Sequence, residues 1–256
     1  MPEDIKKVVV LCFSLPAAER VFAEARARNL PGLKRFLEEG AWAENLSFPA
    51  EEAAFLATLA TGASPESHGV LKVNDPCRAE YLWEAGQRSS KQFLQLGVPA
   101  DRPAKSIPAP GDSASLAAFL RTSPDWDLCF LHFGPSAPGA FGQDISALDK
   151  TIGDLWGATE EDTLRLFLGS PKGSSRGSMA LAGPGVKKGY ELRRQVHLQD
   201  VVPTVCYLAE ISVPSGCEGG VLYQALEDPD LKIKELRACR RNYERLRRSS
   251  GRSAMC

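Results

Sequence analysis

The chain has 256 residues, 43% hydrophobic and 25% charged, with a formal net charge of -1. That balance fits one well-buried globular domain and excludes a disordered chain, and the near-neutral charge supplies no field for nucleic acid or an anionic membrane. The apolar run Val8–Phe13 follows an acidic start, is too short to span a bilayer and lacks the basic flank of a signal peptide.

Lys7–Phe13 (KVVVLCF) is a continuous apolar, β-branched run, the pattern of a strand covered on both faces. Helices are predicted over Ala17–Ala27 and, after Leu30-Pro31-Gly32, over Leu33–Glu39. Glu51–Ala60 is rich in helix formers and carries two acids in its first turn, as a helix start prefers. A weaker helix is expected over Tyr81–Phe93, a Pro-rich connector over Pro99–Ser113, and a helix over Ser115–Leu120. Leu128–Phe133 reads as a second strand, Ile145–Trp156 as an amphipathic helix, and Leu164–Leu168 and Ser178–Ala182 as further strands. Val201–Ala209 and Gly220–Leu226 look helical. Alternation of this kind predicts an α/β fold, a mostly parallel central sheet with helices on both faces and ligands at the carboxyl ends of the strands. The strands ending near Ser14, Phe133 and Gly169 are expected to open onto one edge.

Residues 1–230 are read as a single domain, followed by a basic C-terminal helix and tail over 231–256. In that helix Ile233, Leu236, Tyr243 and Leu246 form a narrow apolar stripe among many Lys and Arg side chains. It reads first as a solvated helix, and second as a docking or self-association element. The seven cysteines are odd in number and contain no CxxC pair, which fits reduced thiols in a cytoplasm.

Five segments, in order, carry a resemblance. Leu30-Pro31-Gly32-Leu33-Lys34-Arg35-Phe36-Leu37 resembles the segment that follows the first strand in alkaline phosphatase superfamily members. Thr61-Gly62-Ala63-Ser64-Pro65-Glu66-Ser67-His68-Gly69-Val70 is similar to the "TGxxPxxHGI" element of the nucleotide pyrophosphatase/phosphodiesterase branch. Leu82-Trp83-Glu84-Ala85, Ala147-Leu148-Asp149-Lys150-Thr151-Ile152-Gly153 and His197-Leu198-Gln199-Asp200-Val201-Val202-Pro203-Thr204 look like three later landmarks of that branch. The resemblance implies an alkaline phosphatase-like fold and, in its active members, two metal ions that activate a Thr or Ser alkoxide.

At the positions this implies, the metal-binding side chains are replaced. Ser14 stands where the resemblance calls for an Asp at the end of the first strand, and Glu52 stands at the nucleophile, sixteen residues before His68. Ser136 and Ala140 replace an Asp and a His, and Ser170 and Pro171 replace a second such pair. Neutral hydroxyls and apolar side chains do not offset a divalent charge, so no metal or other cofactor is expected.

His68 reads as part of a structural turn, and His132 as a buried, hydrogen-bonded strand residue. His197, with Glu52, is the residual binding candidate. A triad of Ser136, His132 and Asp144 is conceivable, but no G-x-S-x-G elbow supports it. The leading functional reading is a pseudoenzyme acting as a binding, regulatory or assembly protein. Its partner would be another protein or a second copy, engaged through the C-terminal helix, with no nucleic acid and no membrane span. The alternative is a phosphodiesterase-type hydrolase with a rebuilt site, or one whose ligands lie elsewhere.

Overall fold

In this computed structural model the described residues are 5–15, 21–98, 100–107, 112–123, 125–134, 144–171, 173–228, and 237, 240, 241 and 243. The first strand, β1 (Lys7–Leu15), pairs in parallel with β5 (Leu128–Phe133) on one side and β6 (Thr163–Pro171) on the other. Its side chains alternate between two cores. Val8, Val10 and Cys12 enter one, Val9, Leu11 and Phe13 the other, and all six are buried. Burial on both faces is why the run is apolar without a break.

The sheet continues through β7 (Arg176–Ala182), β2 (Gly40–Ser47) and β8 (Tyr190–Glu191), with β9 (Val196–His197) also on β2. On the other side lie β3 (Phe93–Leu96) and β4 (Lys105–Ser106), giving the order β4-β3-β5-β1-β6-β7-β2-β8. The strand β7 runs antiparallel to both neighbours, and every other pairing is parallel. The register aligns Phe13 with both Phe133 and Gly169, so the three strands end at one edge as expected.

Helices α1 (Val21–Arg28), α2 (Pro31–Glu39), α6 (Ser113–Thr122) and α7 (Ile145–Trp156) cover one face. Phe13, Phe22, Phe36 and Phe167 meet there at ring separations of 5.7 to 6.0 Å, and burial of each ring is worth about 1.5–3 kcal/mol. Helices α3 (Glu52–Thr61), α5 (Leu82–Arg88) and α8 (Val201–Leu208), with the four-residue turn α4 (Pro65–His68), cover the other face. Two of the resembling segments touch directly. Asp149 on α7 accepts a hydrogen bond from the Leu33 N–H at 2.7 Å and caps α2, which has no side-chain cap of its own.

Several elements differ from expectation. The helix begun at Tyr81 stops at Arg88, because Phe93 packs its ring over Gly86 and joins β3, where it pairs with Leu128. The Pro-rich connector contributes the two-residue β4. Gly220–Leu226 is not a helix but holds a single 3-10 turn, Tyr223–Ala225. The strand β2 was not anticipated, since Ala41, Ala43, Glu44 and Asn45 have low strand preference; it forms because partners flank it on both sides, with an irregularity between Ala43 and Leu46. Residues of the expected C-terminal helix lie mostly outside the described residues; Arg237, Arg240, Arg241 and Tyr243 are helical and exposed.

Candidate functional site at the carboxyl edge of the sheet

The carboxyl edge collects side chains from three elements that are far apart in sequence. Ser14 and Ser170 lie at the ends of β1 and β6, paired side by side, and Pro171 pairs with Leu15. The Ser170 hydroxyl donates to the Phe13 carbonyl at 3.4 Å. Glu52 opens α3, which begins one residue later than expected, with Glu51 at its N-cap.

His132 completes the cluster. Its ring is only 5% exposed. Its Nδ1 lies 2.9 Å from the Gly97 carbonyl oxygen, which can only accept, so Nδ1 carries the proton. Nε2 then faces the site, 3.3 Å from Ser14 Oγ and 3.2 Å from Glu52 Oε1. The Ser14 hydroxyl also reaches Glu52 Oε1 at 3.3 Å. A neutral ring accepts from Ser14 through Nε2, and a protonated ring donates toward the Glu52 carboxylate. Two glycines make room for this arrangement. Gly97 turns with φ +71 so that its oxygen meets the ring, and a Cβ at Gly134 would lie 2.9 Å from His132 Cε1 and 3.0 Å from Glu52 Oε1.

The buried, hydrogen-bonded His132 was legible in the sequence, but its contact with Ser14 and Glu52 was not. A triad of His132 with Ser136 and Asp144 was conceivable from the sequence but had no elbow motif behind it. Ser136 and Ala140 lie outside the described residues, and the Asp144 carboxylate caps α7 through Ser146 and Ala147 at 2.8 Å. His197 is exposed on β9, four strand positions from β1, roughly 19 Å at about 4.8 Å per strand. It does not join the cluster. Cys12, two residues before Ser14 on the same face, is fully buried; burial raises its thiol well above the ordinary value, and the Glu52 charge adds to that.

His68 behaves as a turn residue. It is fully buried, its Nδ1 accepts from the Val70 N–H at 3.0 Å, and its Nε2 therefore donates to Thr58 Oγ1 at 3.0 Å. Gly62 and Gly69, with φ +70 and +78, close α3 and this turn itself. Beside α3 a cleft of about 350 Å³ is lined by Ala53, Ala57, Val70, Lys72, Tyr81 and Asp101.

A central sheet in this order, helices on both faces and a side-chain cluster at the carboxyl edge now bear on the family. Residues 18–97 match the family model for type I phosphodiesterase/nucleotide pyrophosphatase. Human ectonucleotide pyrophosphatase/phosphodiesterase 5 superposes with a TM-score of 0.66 at 11% identity, over 87% of this chain and 100% of that one. The fold is alkaline phosphatase-like. A phosphonate monoester hydrolase of Agrobacterium radiobacter gives a TM-score of 0.67 at 13% identity, over 87% and 77%. A 2-O GAG sulfatase gives 0.68 at 15% identity, over 88% and 74%. No match was found among curated protein sequences. The alkaline phosphatase-like chain thus shares its scaffold with hydrolases of several ester types, and its resemblance to the nucleotide pyrophosphatase branch runs through α1 to β3.

The donor set at this edge does not fit two metal ions. It offers one carboxylate and one imidazole, and among the described residues no group of three or more His, Cys, Asp or Glu is arranged to hold a metal. The neighbouring stretch 135–143 contains no Asp, Glu, His or Cys, and 16–20 adds a single acid, Glu19. A two-metal clamp needs several hard anionic ligands to offset its charge. Among the described residues no helix is long and apolar enough to cross a membrane.

Proposed function

We propose that this alkaline phosphatase-like protein has lost the two-metal phosphoester site and works as a binding, regulatory or assembly protein. The observation that carries this reading is the pairing of Ser14 with Ser170 at the sheet edge, where charged metal ligands would be required, while Glu52 lies against Ser14. A helix start binds anions through its amides and dipole. Here Glu52 supplies an anion from within the chain, which stabilises the first turn by about 0.3–1 kcal/mol and repels an incoming phosphate. The basic segment 231–256 is proposed as the contact for a protein partner or a second copy. A cytoplasmic location is proposed from the unpaired cysteines among the described residues.

Metal analysis, phosphodiester turnover with added zinc or manganese, and calorimetry with phosphate, sulfate and a nucleotide test the reading together. Wild type is expected to carry no stoichiometric metal, turn over no phosphodiester and bind none of the anions, while Glu52→Thr gains weak anion binding. Metal-dependent turnover, or tight nucleotide binding by wild type that Glu52→Thr abolishes, would overturn it.

A further inference from the structure

We propose that Ser14 is a metal-independent nucleophile for neutral carboxylic esters, with His132 as its base. The proposal accepts the loss of the two-metal site but stands against a purely binding role, since it gives the same edge a hydrolytic one.

The geometry places a base within reach of a hydroxyl, whose one proton is shared between Glu52 Oε1 and His132 Nε2, each 3.3 Å away. A serine hydroxyl is a weak nucleophile unless a base stands within hydrogen-bond reach, and such contacts are often loose before substrate binds. Here Nε2 of His132 lies 3.3 Å from Ser14 Oγ. The Gly97 carbonyl holds the opposite ring nitrogen at 2.9 Å, so the neutral ring presents its lone pair to Ser14 and not away from it. Glu52 Oε1, 3.2 Å from Nε2, then stabilises the imidazolium that forms when Ser14 gives up its proton. A carboxylate and a carbonyl flank that cation on its two nitrogens.

The step balances with water as the only co-reactant. Ser14 Oγ attacks the ester carbonyl carbon, its proton passes to Nε2, and an Oγ–C bond forms. The C–O bond to the alcohol then breaks, and Nε2 returns the proton to the departing alkoxide. Water, deprotonated by His132, cleaves the acyl-serine and releases the acid.

Glu52 also sets the substrate class. Its carboxylate touches Ser14 at 3.3 Å, so a phosphate or sulfate ester meets a like charge at the point of attack. A neutral ester does not.

The full chain is treated with a neutral alkyl fluorophosphonate, which forms an Oγ–P bond and releases fluoride, and separately with p-nitrophenyl acetate. Wild type is expected to take up one label on the peptide containing Ser14 and to hydrolyse the acetate. Ser14→Ala, a small change at a half-buried site, should lose the label and about tenfold or more of the hydrolysis. His132→Gln should slow labelling by about 100-fold. Because His132 is buried, Glu52→Gln provides a second readout: it should narrow the preference for neutral over anionic p-nitrophenyl esters by about tenfold. Absence of label on Ser14 in folded wild type, or equal labelling of Ser14→Ala, overturns the proposal. Metal-dependent phosphodiester turnover without label on Ser14 would overturn both this proposal and the loss of the two-metal site. Label on Ser14 without such turnover supports both.

Discussion

The Gly97 carbonyl oxygen and His132 Nδ1 are 2.9 Å apart, and this single contact decides which ring nitrogen faces Ser14. Gly97 holds φ +71, and a Cβ there would collide with the main-chain oxygen of His132 itself. Gly97→Ala is therefore expected to cost about 1–3 kcal/mol of stability and to free the ring. Urea unfolding measures the first effect. Loss of fluorophosphonate labelling in protein that remains folded measures the second.

Asp149 stabilises α2 from another element. Its carboxylate accepts from Leu33 N at 2.7 Å in a buried setting, with Gly32 packed so closely against the Asp149 backbone that no side chain fits. Asp149→Ala should destabilise the chain by about 1.5–3 kcal/mol, the cost of a lost charged cap that leaves a buried donor unpaired. Asp149→Asn keeps an acceptor and should lose less than the Ala variant. Equal losses for the two in thermal unfolding would remove the capping role.

His68 makes the fold sensitive to mild acid. Burial lowers its pKa, with Glu66, Glu218 and the Ala54 carbonyl opposing and Arg78 assisting. The folded pKa thus lies below the unfolded value of about 6.5, and the unfolded chain binds the proton first. Its contribution to stability is complete above the unfolded pKa and is lost as pH falls from there toward the folded value. Wild type should lose stability across that window with a slope of at most about 1.4 kcal/mol per pH unit, and His68→Gln should flatten it. Melting temperatures of both proteins against pH decide this.

The buried thiols should be inert in the native state. Burial raises the pKa of Cys12 and Cys129 and pushes that of Cys206 up to about 12, with Cys217 adding to the last. A thiol reacts as its thiolate, so iodoacetamide at about pH 7.5 should leave these three unmodified until the protein is denatured. Peptide mapping before and after denaturation tests each cysteine separately.

The sequence by itself determined the central strands of the sheet. The runs Lys7–Phe13 and Leu128–Phe133 are apolar without interruption because both faces of those strands are covered, and that pattern is local. Ser14 and Glu52 were singled out as positions the resemblance implies, the one at the end of the first strand and the other sixteen residues before His68. Tertiary structure decided the rest. The strand β2 carries little strand preference and forms because β7, β8 and β9 supply its hydrogen bonds. The meeting of Ser14, Glu52 and His132 depends on a parallel register between strands more than 100 residues apart in the chain and on the turn at Gly97. No local pattern encodes such a contact, because a side chain's partners are chosen by which strands become neighbours and at what register.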